Sequence, residues 1–132
     1  MACPEYFYLA YLEAAVWSST DDDGEPLDRL DIDVSEETQS EMRADCDKFY
    51  DDNEHLITSE NCLARIGQRF GLFPVYSQAG HDFWLTRNGH GVGFWETSDW
   101  EAEAGEQLDN ASKAFGEYYL FAQDGEILGE KC

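Results

Sequence analysis

Lysine and arginine are scarce in this chain. There are 8 of them against 29 aspartates and glutamates, a formal net charge of -21 over 132 residues. A surface this negative repels phosphate backbones and anionic membranes, so direct nucleic-acid binding and membrane attachment are not expected. Long apolar runs are missing too. The longest, Tyr6 to Trp17, contains Glu13 and is shorter than the roughly 20 residues a spanning helix needs. No basic segment leading into an apolar stretch and a cleavage site is found, so a cytoplasmic location is expected. Cys3, Cys46, Cys62 and Cys132 lie far apart with no CxxC pair, which argues against a zinc ribbon or a redox dithiol. They read as small hydrophobes in a reducing compartment, and neither a metal nor a cofactor is expected. Walker A, GxSxG and HExxH patterns are absent, and Gly89-His90-Gly91-Val92-Gly93 lacks the following helix of a dinucleotide fingerprint. No catalytic residue is assigned.

What the chain does have is aromatic content, 14%, enough for a real core in one domain spanning 1–132 with an acidic loop at 20–34. Low mean hydropathy here comes from acid, not from a lack of apolar residues. Pro4 suits a helix start, and the following PEYFYLAYLEAAVWSS is apolar nearly all round, so a helix buried on most sides and ending at Ser18 to Thr20 is expected. Asp21-Asp22-Asp23-Gly24-Glu25-Pro26 is a loop; aligned as a calcium-binding loop, it would need Glu where Leu30 stands, so it reads as solvated. Ser35 is the expected N-cap of a helix through about Glu54, with Met42, Cys46, Phe49 and Asn53 inward. A short helix after Thr58 or Ser59 would turn Leu63, Ile66 and Phe70 inward and end at Gly71, before an extended Leu72 to Tyr76. Ser98 and Glu101 form a capping box ahead of Trp100, Ala104, Leu108, Ala111 and Phe115 at helical steps, with Gly116 as the stop. Tyr118 to Ala122 and Glu126 to Leu128 flank Asp124-Gly125 as a hairpin.

Between these lies GHDFWLTRNGHGVGFWE, Gly80 to Glu96. Asn88-Gly89-His90-Gly91 has turn chemistry, so strands are expected at Asp82 to Arg87 and Val92 to Glu96. Strand parity would put Phe83 and Leu85 with Val92 and Phe94 on a core face under the helix carrying Trp100, Leu108 and Phe115. Trp84 would pair with Trp95 on the other face, either covered by a helix or exposed as an aromatic patch. In a hairpin His81 and His90 would stand about 25 Å apart, too far to share a metal, and His81 and Asp82 would face opposite sides, which argues against an acid/base dyad. Arg87 would pair with a carboxylate from Glu96 or the helix after it. The fold expected is α+β: a small single domain with an antiparallel sheet of three to five strands in two hairpins, packed with three to four helices. The GHDFWLTRNGHGxGFW core resembles one found in uncharacterised small acidic proteins of bacteriophages and mobile elements. That resemblance implies an origin rather than an activity.

The acid is unevenly spread. Residues 19–60 hold 16 acids against 3 bases and residues 96–132 hold 10 against 2, whereas residues 61–95 hold Asp82 against Arg65, Arg69 and Arg87. Glu37, Glu41 and Asp45 are four residues apart, about 6 Å along one helix stripe, a spacing that could imitate a phosphate row. The expected partner is therefore a host nucleic-acid-binding protein with a basic surface, and a homodimer is left open as a further association. The expected function is that of a phage or mobile-element inhibitor that mimics DNA or otherwise blocks a restriction, CRISPR or repair factor, with Asp21, Asp22, Asp23, Glu37, Glu41, Asp45, Glu103, Glu106 and Asp109 in contact. Two alternatives compete: a small enzyme or ligand-binding protein using His81, Trp84, Arg87 and His90, and an acidic surface adapted to salt.

Overall fold

The computed structural model describes residues 3–21, 23–63, 74–90, 93–95 and 99–131. Helix α1 (Glu5–Ser18) starts just after Pro4, as expected, and stops at Ser18. It buries Phe7, Tyr8, Ala10, Tyr11, Ala14 and Ala15 but leaves Leu9 and Trp17 about half exposed, at 47% and 59%, so its apolar circumference is only partly covered. The acidic loop folds around its own first residue, because the Asp21 carboxylate accepts hydrogen bonds from the amides of Asp23 and Glu25 at 2.9 Å each. A 3-10 turn follows at Leu27–Arg29. Helix α2 (Glu36–Asn53) is capped by Ser35, whose hydroxyl accepts the Thr38 amide at 3.1 Å, and it turns Met42, Cys46 and Phe49 into the core.

The segment expected as the first hairpin is a helix. Helix α3 (Pro74–Arg87) includes the whole of Asp82 to Arg87 and replaces the extended stretch expected up to Tyr76. It packs chiefly on α1. Gly80 faces the Phe7 backbone so closely that a Cβ there would collide with the Phe7 carbonyl, which accounts for a glycine inside a helix. Phe83 stacks on Phe49 with ring centroids 4.1 Å apart and also meets Tyr11 and Phe115 at 5.2 Å, placing it at the centre of the aromatic core. Asn88-Gly89-His90 ends the helix instead of turning a hairpin. The His90 amide reaches back to the Leu85 carbonyl at 3.0 Å and the Gly89 amide to that of Thr86 at 3.2 Å, with Gly89 at φ 67°, which is the Schellman arrangement.

Helix α4 (Ala102–Lys113) starts later than the expected capping box placed it: Glu101 is itself the N-cap, its carboxylate accepting the Ala104 amide at 3.0 Å, and Trp100 precedes the helix. Trp100, Ala104 and Leu108 are buried as their spacing predicts, while Ala111 and Phe115 lie at the edge of the core. Strands β1 (Tyr118–Gln123) and β2 (Glu126–Lys131) form the expected second hairpin, paired from Tyr118 with Lys131 to Gln123 with Glu126. Asp124 and Gly125 both have positive φ, 52° and 80°, as a two-residue hairpin turn requires. Val34 adds a single parallel bridge to Ile127. Among the described residues the fold is thus α+β with four α-helices and one two-stranded antiparallel sheet, fewer strands than the three to five expected. No helix among them is long and apolar enough to cross a membrane. The short helix expected after Thr58 or Ser59 does not begin there: residues 58–63 form a turn and a bridge from Cys62 to Trp100, and Leu63, expected inward, is 53% exposed. Its remainder, with Ile66, Phe70 and Gly71, falls outside the described residues, as do Asp22, Val92, Glu96, Ser98 and Cys132.

Candidate functional site

The polar residues of α3 point inward and hold neighbouring elements together. Asp82 is 2% exposed, and one of its oxygens accepts the Trp100 indole N–H at 2.8 Å and the Gln78 amide at 2.7 Å. Its other oxygen lies 3.1 Å from His81 Nδ1. The opposed orientation expected of His81 and Asp82 in a strand is thereby corrected, since neighbours on a helix stand about 100° apart and can meet. Ser77, one turn before His81, is fully buried and its hydroxyl makes no hydrogen bond, so the pair has no activated nucleophile at Ser77. His81 lies within α3 and His90 just past its Schellman cap, so the separation of about 25 Å expected along a strand does not apply.

Arg87 pairs with Asp45 of α2 rather than with a carboxylate of α4, and Glu96 lies outside the described residues. Its guanidinium donates to the Asp45 carboxylate at 2.9 Å, the Tyr11 hydroxyl at 3.0 Å, and the carbonyls of Gly116 and Phe115 at 2.8 and 3.3 Å. Lys131 of β2 approaches the same carboxylate at 3.7 Å. Asn88 accepts the Tyr118 amide at 2.9 Å, and Trp84, 2% exposed, donates its indole N–H to Ser18 at 2.8 Å. Trp84 and Trp95 therefore do not pair: one is buried against α1 and the other is 53% exposed. Of the alternative ligand set, Trp84 and Arg87 are closed off, His81 is half-buried beside Asp82, and His90 alone is exposed.

Two thiols also lie in the core and are poor nucleophiles there. Burial pushes Cys3 up to about 12, with the Asp47 carboxylate adding to the rise, and burial raises Cys46 as well. Cys62 is half-buried. No group of three or more His, Cys, Asp or Glu among the described residues could hold a metal ion.

The acids expected to meet a partner divide into two kinds. Glu37, Asp23, Glu103 and Glu106 are exposed, and Asp21 is half-buried inside its loop. Asp45 does not belong to an outward stripe, because it is 8% exposed and occupied by Arg87 and Lys131. Asp109 is 8% exposed and paired with Lys113 at 2.9 Å, and Glu41 accepts the Tyr118 hydroxyl at 2.7 Å. Past Glu41 the outer face of α2 continues through Ala44 and Lys48 before Asp51 and Asp52, so evenly spaced carboxylates do not run its length.

The described cations are spent within the fold. Arg29, Arg43, Lys48, Arg87, Lys113 and Lys131 each lie within 4.0 Å of a carboxylate, on Glu25, Glu5, Asp52, Asp45, Asp109 and Asp45 respectively. Among the described residues, the charge left unpaired is acid.

One feature of the surface was not foreseen: an open groove of about 590 Å³ between the second half of α1, the 3-10 turn, residues 32–36 and the start of β2. Leu12, Val16, Leu27, Ile32, Val34 and Ile127 give it an apolar floor. Asp28, Asp33, Glu36 and Glu126 stand on its rim, and no lysine or arginine lines it. Its signal in the sequence was the all-round apolarity of α1, which exceeds what a small domain can cover. A smaller cavity of about 180 Å³ brings His90 and Trp95 beside Asp109 and Lys113. No protein-family model matches this chain, no curated protein matches it, and no solved structure matches its fold.

Proposed function

We propose that this protein is an acidic inhibitor that binds the basic, nucleic-acid-contacting surface of a host protein, as a phage or mobile-element product acting against a restriction, CRISPR or repair factor would. The observation that supports this reading is that each of the six described cations pairs with a carboxylate of the same chain, so that the unpaired charge among the described residues is acid. Such a charge raises the encounter rate with a cationic surface and disfavours acidic partners. The mimicry is of a diffuse polyanion rather than a ruled phosphate row, because Asp45 is withdrawn into the core.

The test is capture on the immobilised protein from a bacterial lysate at low and high salt, followed by elution with duplex DNA. Nucleic-acid-binding proteins that are held at low salt and displaced by DNA are the expected result, since exposed charges are screened within about 8 Å at physiological ionic strength. Reversing Glu37, Glu103 and Glu106 together to Lys should weaken that capture. Asp45 and Glu41 are left alone because each holds the fold. Capture that ignores both salt and the reversal but is lost on His90→Ala or Trp95→Ala would overturn the proposal in favour of a ligand site. Failure to retain any such protein would leave the acid as a solvating surface.

A further inference from the structure

We infer that the groove beside α1 is the seat of a basic amphipathic segment of the partner, one that carries apolar anchors flanked by lysines or arginines. This deepens the inhibitor reading and rests on it for the identity of the partner, though not for the binding itself. Leu9, Leu12 and Val16 recur at steps of three and four, so they form one stripe on α1. Leu12 and Val16 line the groove, and Leu9, 47% exposed, continues the same stripe beyond its end. The floor is completed by Ile32, which is half-buried, so apolar surface lies open along the groove where a soluble fold would ordinarily place polar side chains.

Charge selects the occupant. Asp28, Asp33, Glu36 and Glu126 stand around the floor with no cation among the lining residues, and the adjacent Arg29 is held toward Glu25 at 3.8 Å. An acidic or neutral apolar segment would gain the floor and lose against the rim. A second copy of this chain would bring its own acid to the same place. A segment with apolar side chains on one face and cations on its flanks satisfies both, by the helix-in-groove or extended-peptide modes. The rim charges are exposed and contribute mainly to encounter and register, whereas the buried apolar anchors set the residence time.

Three fluorescein-labelled probes test this by anisotropy on the full chain: a Leu/Lys peptide with leucines at helical spacing, a Lys/Gln peptide of equal length and charge, and a Leu/Gln peptide. Leu/Lys should bind about tenfold tighter than either of the others, the factor that about 1.4 kcal/mol represents. Ile32→Ser, which strips the floor and keeps the rim, should weaken Leu/Lys binding about tenfold, and Val16→Ser serves the same purpose if that variant proves misfolded by circular dichroism. Asp33→Asn with Glu126→Gln should weaken it comparably and flatten its salt dependence, while Asp51→Asn with Glu54→Gln, an equal charge change at exposed positions toward the other end of α2, should leave it unchanged. Lys/Gln binding as tightly as Leu/Lys, or equal losses from the rim and the control pair, would overturn the groove and leave the inhibitor reading standing. Absence of any Leu/Lys binding would also overturn it. So would light scattering that shows a dimer dissociated by Ile32→Ser, since the groove would then belong to a second copy. Peptide binding that survives alongside failed capture of nucleic-acid-binding proteins would instead retire the inhibitor reading and keep the groove.

Discussion

Asn88-Gly89 and Asp124-Gly125 carry nearly the same two-residue signal and end different elements. Gly89 takes φ 67° alone and closes the C-terminus of α3, whereas Asp124 and Gly125 both take positive φ and reverse the chain between β1 and β2. What precedes each pair decides the outcome. Before Asp124, Tyr118 and Leu120 are buried while Tyr119 between them is half exposed, so one face of the segment is covered. Before Asn88, all six residues from Asp82 to Arg87 are at most 4% exposed, a demand that a two-stranded ribbon cannot meet and a helix placed between α1 and α4 can. A turn dipeptide therefore says that the chain stops there. The burial of its flanks says what has stopped.

Alkali should have the largest effect, unfolding both regions together. Burial raises the Tyr11 phenol, which receives Arg87 of α3, and burial followed by its hydrogen bond to Glu41 raises Tyr118 of β1, each above the ordinary 10.0. Cys3 is held at about 12 against an ordinary 9.0. These groups are neutral when folded, so their contribution is whole below those ordinary values and is lost as pH climbs through them towards the raised ones. Circular dichroism and tyrosinate absorbance should change together above about pH 10. Separate transitions would show that the two regions are independent.

Arg87→Met is the next largest effect, about 3–5 kcal/mol by urea unfolding, because it leaves the Asp45 carboxylate 8% exposed with only the distant Lys131 amine. A near-neutral result would mean that the guanidinium is solvated and α3 is not where it is described. Leu85→Ala should cost about 2–4 kcal/mol, whereas Leu128→Ala on the half-buried side of β2 should cost about 1 kcal/mol. Equal losses would erase the distinction between a helix buried all round and a ribbon covered on one face.

The smallest differences are the sharpest. Gly89→Ala and Gly125→Ala should each cost about 1 kcal/mol, because both positions need positive φ. Asn88→Gly should cost about as much again, since the Asn88 side chain accepts the Tyr118 amide and donates to the Trp84 carbonyl at 3.0 Å. Asp124→Gly should be nearly neutral, its side chain being exposed in a turn that glycine tolerates. Thermal melts resolve these cases, and a neutral Asn88→Gly would remove the one respect in which the two dipeptides are chemically distinct.

The elements legible in the sequence were those with one covered face. α2 showed its Ser35 cap and its Met42, Cys46, Phe49 periodicity; α4 showed its Ala104 and Leu108 step, though its start was read about three residues early; the second hairpin showed Asp124-Gly125. α3 was not legible, because an element buried on every side has no amphipathic period, and Phe83, Trp84 and Thr86 favour strands by intrinsic preference. Its polar residues looked like a site for the same reason: Asp82, Arg87 and Asn88 are what chemistry would use, and here they hold the core together. Packing under Trp100 and Phe115 was nonetheless anticipated for Phe83 and Phe94, because which apolar residues meet depends less on secondary structure than on their number and size. The partition of the acids into exposed and buried could not be read from spacing, since Glu41 and Asp45, four residues and about 40° apart around the helix, differ in what faces them.

The Arg87 knot also bears on the order in which the molecule assembles. Its partners are drawn from 76, 42, 29 and 28 residues away along the chain. Until Tyr11, Asp45 and the turn after α4 have all arrived, the guanidinium must keep its water, and α3 cannot settle fully between its neighbours. Closure of the interior is therefore a late, concerted event that depends on nearly the whole chain, and loss of the C-terminal hairpin should expose α3 to proteolysis rather than merely trim an edge.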